Sequence, residues 1–294
     1  MRLATLAAAL LTAAGAAQAG SLPPRGCDRA IPVTAAQQDQ LLRFAAVVRD
    51  ALTTSGAQAA LISRSGTDLS RFGLRYSHAG IALADGLDTP WAVRQLYYAC
   101  AEGAPRLFDQ GLAGFVSGSD DASVGYVSLL LLPPEAAEPL AAATRDKPLA
   151  LGLLNSRYSA NAYPFSTSYQ NCNQWVAELL AAASTGGRSR EDGQAWLRAE
   201  GYAPEPVHAS VWLLLAGHFV PWLHFDDHPA EALDAGQVQT SLPDGLEAFA
   251  RQRWPAARHI ELCHGPQGVV QREDGAPLAA GCVPQPGDRV TALN

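Results

Sequence analysis

Cys172 stands at the start of an apolar segment, in the sequence Asn-Cys-Asn-Gln-Trp-Val-Ala-Glu-Leu-Leu at residues 171–180. Apolar residues recur there at the i, i+3, i+4, i+7 spacing of a helix that buries one face. They are Val176, Leu179, Leu180 and Ala183. Asn171 can cap this helix, and a thiol in its first turn feels the positive end of the helix dipole. The dipole should lower the pKa of Cys172 and favour a nucleophilic thiolate, although an inert, packed cysteine is the alternative.

His78 is the histidine best placed to serve such a thiol. It lies in a strand-like segment, Arg-Tyr-Ser-His-Ala-Gly-Ile-Ala-Leu-Ala, at residues 75–84. Gly80 and Ala82 share its strand face, and their small side chains would leave room for the cysteine helix to pack there. A thiol with an imidazole is a standard activated nucleophile. Taken alone, a histidine near a strand is more often a structural residue than a catalytic one.

Five cysteines are present, which is an odd number. In an oxidising compartment thiols pair, so one should remain free. Cys263 and Cys282 flank a Gly/Pro-rich tail and are expected to bridge it. Cys27 would then pair with Cys100, which leaves Cys172 as the free thiol.

The six other histidines suggest no metal site. His218, His224 and His228 lie near Asp226 and Asp227, but their spacing matches no established zinc motif. The chain also lacks a Gly-x-Ser-x-Gly elbow, a phosphate-binding glycine loop, a Cys-x-x-Cys pair and a His-Glu-x-x-His motif. We therefore expect neither a metal nor an organic cofactor.

The N-terminus reads as a secretory signal peptide over residues 1–19. A short basic start, an apolar stretch and an Ala-x-Ala end form the usual pattern. No later segment is long and apolar enough to span a bilayer, so no transmembrane anchor is expected. The prediction is a secreted protein, in a bacterial periplasm.

Length and net charge further restrict the number of domains and the kind of partner. The 294 residues suffice for one large domain with an appendage, and 48% of them are hydrophobic. A net charge of −7 without a basic cluster argues against nucleic acid as a partner. We expect a monomer.

The pattern elsewhere predicts a mixed α+β fold. A helix capped by Thr34 should come first, and residues 108–111 should form a loop before a strand at 123–132. A polar and aromatic loop at 158–169 would line a substrate cleft or cover the core. Ser241 should cap a helix over 242–254. Strands are expected at 59–64, 75–84, 91–99 and 123–132, and as a hairpin at 260–263 and 269–271.

The His78 strand followed by the Asn171-Cys172 helix resembles the circularly permuted papain-like hydrolases. These are the permuted branch of the NlpC-type peptidases and include the lecithin retinol acyltransferase-like enzymes. Most of the mature chain also resembles a family of secreted bacterial proteins, domain of unknown function 2145. That similarity rests on Cys-Asp-Arg at 27–29, Trp-Ala-Val-Arg-Gln-Leu at 91–96, Leu-Phe-Asp-Gln-Gly-Leu at 107–112 and the Asn-Cys helix.

The resemblance implies an antiparallel sheet with the cysteine at the N-terminus of a helix. It implies a permuted papain-like core with an N-terminal arm over residues 20–187. Residues 188–294 would then be a C-terminal extension packed on that core.

The resemblance also assigns roles. Cys172 would be the nucleophile and His78 the base, with an orienting residue on the strand after the histidine. Gln95 can accept an imidazole N–H with its amide oxygen, whereas Arg94 has only donors. The Cys172 N–H would form part of an oxyanion hole. The other oxyanion or substrate-binding candidates are Tyr163, Tyr169, Gln170 and Asn173.

Three functions follow as hypotheses. The first is a cysteine hydrolase of the amidase, peptidase or esterase type, acting on an envelope peptide, protein or lipid. The second is a non-catalytic binding or assembly protein on the same fold. The third is a thiol-dependent acyltransferase, which would need the same residues.

Overall fold

A computed structural model describes residues 33–87 and 89–293, with only the backbone of Glu205 described. The predicted signal peptide and Cys27 lie outside these residues. The helices are α1 (Ala35–Ser55), α2 (Leu112–Val116), α3 (Pro134–Arg145), α4 (Lys147–Gly152), α5 (Cys172–Thr185), α6 (Arg190–Ala199), α7 (Val211–Gly217), α8 (Ala230–Asp234) and α9 (Pro243–Arg253). The strands are β1 (Ala59–Arg64), β2 (His78–Leu83), β3 (Ala92–Ala99), β4 (Ala104–Gly111), β5 (Gly125–Leu131), β6 (Glu205–His208), β7 (Gln237–Thr240), β8 (Arg258–Gly265), β9 (Gly268–Glu273) and β10 (Arg289–Thr291).

Eight strands form one antiparallel sheet in the order β10-β9-β8-β5-β1-β2-β3-β4. The predicted hairpin is confirmed as β8 and β9, and β8 pairs with β5 in the middle of the sheet. The last three strands of the chain therefore belong to the same sheet as the His78 strand. Strands β6 and β7 form a separate pair near the cavity described below.

Helices cover both faces of the sheet. On one face, α1 and α2 pack against inward-facing residues of β1, β2, β3 and β5. On the other face, α3, α4, α5 and α9 pack against the alternate residues of the same strands. This arrangement suits an antiparallel sheet whose central strands are fully buried. The mixed α+β class with a large antiparallel sheet is thus confirmed.

Helix α5 is more deeply buried than its sequence indicates. The i, i+3, i+4 pattern predicts one buried face, yet every residue from Cys172 to Ala182 is buried. Helix α6 covers its second side, and Arg190, the first residue of α6, attaches the two helices to each other. The Arg190 guanidinium contacts both carboxylate oxygens of Glu178, at 2.9 and 3.0 Å.

Two local predictions are wrong. Residues 108–111 are not a loop but the end of β4, whose polar sequence reflects an edge strand with several exposed side chains. Ser241 does not cap α9, since the N-cap is Leu242 without a side-chain hydrogen bond. The Ser241 hydroxyl instead accepts a hydrogen bond from Tyr202.

The predicted Cys263–Cys282 disulfide is formed, and it ties β8 to the segment before β10. Cys100 is disulfide-bonded as well. Its predicted pairing with Cys27 stays a prediction, because Cys27 lies outside the described residues. Of the helices in the described part of the chain, none combines the length and apolarity that crossing a membrane would need.

Candidate functional site

The N-terminus of α5 is fixed by its capping residue, as predicted. Asn171 accepts a hydrogen bond from the N–H of Gln174 at 2.7 Å through its side-chain oxygen. Its amide nitrogen donates to Thr240 Oγ1 at 2.9 Å and to the Ser241 carbonyl at 3.2 Å. The cap therefore both begins the helix and attaches it to the end of β7.

Cys172 is the free cysteine of the described residues, and it is buried. Burial raises the pKa of its thiol to about 11. The backbone N–H groups of Asn173, Ala79 and Cys172 itself act in the opposite direction, as does the charge of Arg64. The expected lowering is thus present but smaller than the cost of desolvating a thiolate. The prediction of a lowered pKa is wrong, and the resting group is a neutral thiol.

Asn173 connects this helix start to the histidine strand. Its amide nitrogen donates to the Ser77 carbonyl at 3.3 Å and to the Ser241 carbonyl at 3.0 Å. The amide oxygen is buried without a hydrogen-bond partner. Because the side-chain donors are already engaged, Asn173 holds the site together through its side chain rather than offering that side chain as an oxyanion donor.

His78 and Gln95 form the pair expected from the sequence. His78 Nε2 lies 2.5 Å from Gln95 Oε1. Since the amide oxygen only accepts, Nε2 carries the proton and Nδ1 is the basic nitrogen. Arg94 does not compete, because its guanidinium contacts both carboxylate oxygens of Asp109 at 2.7 Å.

A residue that the sequence analysis missed fixes the orientation of Gln95. Gln95 Nε2 donates to Gln110 Oε1 at 2.6 Å, which directs the other end of the amide toward His78. Gln110 in turn lies against Gly114, where a Cβ would come within 2.6 Å of its side-chain nitrogen. Gln110 belongs to the stretch that the sequence predicts as a loop, so the sequence does not reveal its register opposite Val93 on β3.

The His78 ring occupies the face of the sheet opposite to α5. It lies 5.9 Å from the Tyr97 ring and 6.0 Å from Phe115, a residue of α2. Burial, followed by the nearby charge of Arg64, lowers the pKa of His78 to about 3. The imidazole is neutral at rest.

The cysteine helix does not pack where it was expected. It covers the side of β2 that carries Ala79, Ile81 and Leu83, rather than the side with Gly80. Gly80 instead allows β3 to approach closely, because a Cβ there would lie 2.5 Å from Val93 and 3.2 Å from the Cβ of Gln95. The glycine thereby contributes to the His78–Gln95 contact.

The cysteine helix meets β2 where the β2 and β3 strands separate. The β2–β3 ladder begins at Ile81, opposite Arg94, so the first residues of β2 have no partner on β3. The thiol faces the N–H of Ala79 at this opening, and His78 is the preceding residue. No hydrogen bond between the thiol and the imidazole is found among the described residues.

Both groups line one cavity of about 510 Å³. Its wall is mostly apolar, with Leu96, Leu214, Leu223, Phe225 and Val238 among the lining residues. This volume lies within the usual range for small-molecule sites. The site thus combines a thiol, an imidazole and a mostly apolar cavity.

Arg64, also missed by the sequence analysis, is a charged residue that acts on both members of this pair. It is buried opposite His78 in the β1–β2 ladder and lines the cavity. Its charge lowers the pKa of both His78 and Cys172. An arginine at the end of a strand is usually taken for surface, so only the register of the strands reveals this role.

Three of the predicted oxyanion or substrate residues do not line the cavity. Gln170 Nε2 donates to Glu178 at 2.5 Å and to the Leu153 carbonyl at 2.9 Å. Tyr169 stacks on His224 at 4.2 Å, and its hydroxyl donates to Asp226. The Tyr163 N–H donates to Asp227.

Part of the loop at 158–169 therefore lines the cavity, and whether that cavity is a substrate cleft stays a prediction. Tyr158, Ala160 and Asn161 line the cavity, while the later residues hold the loop in place. No group of three or more histidine, cysteine or acidic side chains suited to a metal ion is found within the described ranges. His218, His224 and His228 accordingly form no such group with the described residues around them.

Comparison with known proteins agrees with the second resemblance. The family model of an uncharacterised protein conserved in bacteria, DUF2145, matches residues 51–250. No curated protein and no solved structure matches the chain. The matched span includes β2, β3, α5 and most of the cavity lining. The chain belongs to the DUF2145 family.

Proposed function

We propose that this protein is a thiol-dependent hydrolase of ester or amide bonds, with Cys172 as nucleophile and His78 as base. One observation carries the proposal: a free thiol at a helix N-terminus and a histidine oriented by Gln95 line the same cavity. The order of histidine strand and cysteine helix is that of the permuted papain-like hydrolases, and we extend the proposal to that fold. The N-terminal sequence favours export to the bacterial envelope.

The reaction would start from an uncharged pair. Cys172 would transfer its proton to His78 Nδ1 as the sulfur attacks the acyl carbonyl, and the proton would then pass to the leaving group. Water would hydrolyse the thioester and restore the thiol. The N–H groups of Cys172, Asn173 and Ala79 face the sulfur and are the candidates for stabilising the oxyanion. If an alcohol or amine replaced water, the same steps would give acyl transfer.

A binding protein without catalysis is the second candidate. It is favoured by the two shifted pKa values, about 11 for Cys172 and about 3 for His78, and by the placement of the ring on the sheet face opposite to α5. Under this alternative the apolar cavity would hold a ligand, and the thiol would only contribute to its wall.

Hydrolysis of para-nitrophenyl acetate by the mature protein distinguishes the two candidates. For a hydrolase we expect Cys172→Ala to lower kcat/KM by at least ~1,000-fold and His78→Ala by roughly 100-fold or more. Ser128→Ala, which removes a buried hydroxyl that does not line the cavity, is the matched control and should retain activity within about threefold of wild type. Equal rates for wild type and Cys172→Ala would refute the hydrolase and leave the binding protein.

A further inference from the structure

Helix α7 is apolar on two sides. Leu213, Leu214 and Gly217 line the cavity from its inner side. On its outer side Trp212 is 81% exposed, and Phe219, just beyond the helix, is 89% exposed. Val211 and Leu215 add to the same outer patch. A lone exposed hydrophobic residue is ordinary, but four within nine residues form an exposed apolar patch of the kind that marks an interaction site.

The chemistry of the patch restricts that partner. Residues 206–225 contain no Asp, Glu, Lys or Arg. The patch therefore offers no lysine or arginine for phosphate and no carboxylate for a salt-bridged protein interface, and the exposed His218 is the titratable side chain beside Phe219. Tryptophan and phenylalanine on a short uncharged helix are suited to the boundary between lipid headgroups and acyl chains. The hydrocarbon of a lipid bilayer can contact such an apolar surface without any charge–charge interaction.

The cavity beneath the helix favours the same partner. Residues of α7 and the Cys172 thiol line the same mostly apolar cavity, so an apolar group bound there would contact this helix. We propose that α7 and Phe219 dock the protein on a lipid bilayer, and that an acyl chain occupies the cavity. The second part rests on the proposed function, because it makes that chain the acyl group presented to Cys172. The docking itself does not depend on catalysis.

Flotation with phosphatidylcholine vesicles tests the docking. The mature protein should float with the vesicles, and its bound fraction should be the same at 0.05 M and 0.5 M NaCl because the contact is apolar. The double variant Trp212→Ser/Phe219→Ser should lower the ratio of bound to free protein at least tenfold. The matched control Leu42→Ser/Leu151→Ser changes two residues exposed to 48% and 47% on α1 and α4, and should bind as wild type does.

Unchanged flotation of the Trp212→Ser/Phe219→Ser variant would overturn the docking. So would a wild-type dimer that fails to float and that this variant dissociates, since the patch would then cover a second copy. Cys172→Ala should float as wild type does. If flotation fails while hydrolysis of the soluble acetate ester still requires Cys172, only this inference falls. If flotation holds and no hydrolysis occurs, only the proposed function falls.

Discussion

Two nucleophile–histidine sets among the described residues differ in their access to a substrate. In the first, Cys172 and His78 share a cavity without a direct hydrogen bond. In the second, Ser128 Oγ lies 2.8 Å from His259 Nε2 and 2.9 Å from Glu247 Oε2. The second set has the better hydrogen bonds, yet Ser128 is completely buried in β5 and does not line the cavity. Access to a substrate, rather than hydrogen-bond geometry, separates a candidate site from a structural cluster.

Burial also has a different effect on the charge state of the two sets near pH 7. Glu247 accepts hydrogen bonds from Ser63 and Ser128, and burial still raises the pKa of its carboxyl to about 7. At Cys172 burial outweighs the N–H groups and Arg64, and at His78 burial and Arg64 act together, so both groups remain neutral near pH 7. A cluster that fixes the fold can be half charged at neutral pH, whereas the candidate site acquires its charges only during reaction.

The larger of the two effects that separate these sets should be seen in alkylation of the Cys172 thiol by iodoacetamide. At pH 8 a thiol of pKa about 11 is thiolate in roughly one molecule per thousand, against roughly one in ten for an unfolded cysteine of pKa 9. Native protein should therefore react about 100-fold more slowly than protein unfolded in urea. Its rate should still rise about tenfold per pH unit up to pH 9.5.

The Cys172→Ala protein, in which no other thiol should label, is the control for this measurement. His78→Ala should leave the native rate within about threefold, because a neutral imidazole does not stabilise the thiolate. Fast native labelling that levels off below pH 8 and slows in His78→Ala would show a thiolate–imidazolium pair instead. That result would mean that the pKa of Cys172 is lowered, as the helix dipole alone predicts.

A smaller effect should appear in the Glu247 cluster. Its carboxyl pKa is raised from 4.5 to about 7 in the folded chain, so the unfolded chain loses this proton first as the pH rises. The cluster's contribution is therefore complete below about pH 4.5 and is lost as the pH rises to about 7, by on the order of 3 kcal/mol. Glu247→Gln removes this titration.

Urea unfolding of wild type and Glu247→Gln at pH 5 and pH 8 measures the difference. The variant should gain free energy of unfolding relative to wild type between these two pH values. Histidines that titrate in both proteins cancel in this comparison. A difference between the two proteins that does not change with pH would mean that Glu247 is already ionised at pH 5.

The sequence predicts the parts of the site that depend on local rules. Asn171 as a cap, the helix from Cys172 and the strand at His78 all follow from capping and periodicity, and the Cys263–Cys282 bridge from cysteine pairing. Gln95 as partner of the imidazole followed from the resemblance and from donor chemistry, and its contact with His78 is confirmed.

Properties set by strand register and by burial could not be predicted. The face of β2 that α5 covers depends on register, which placed Gly80 against β3 and Arg64 opposite His78. Gln110 could not be identified because it lies in an edge strand whose polar sequence resembles that of a loop. The sign of the pKa shift at Cys172 required the depth of burial, which exceeds what the one-sided apolar pattern of α5 suggests.

The most direct test of the account is capture of an acyl group on the thiol. Mature protein treated with para-nitrophenyl decanoate and quenched in acid within the first turnovers should gain one decanoyl group, located by peptide mapping on Cys172. The adduct should be released by hydroxylamine, as a thioester is, and should be absent from Cys172→Ala. Release of nitrophenolate at an unchanged rate from Cys172→Ala, or a decanoyl group found on another residue, would contradict the central claim.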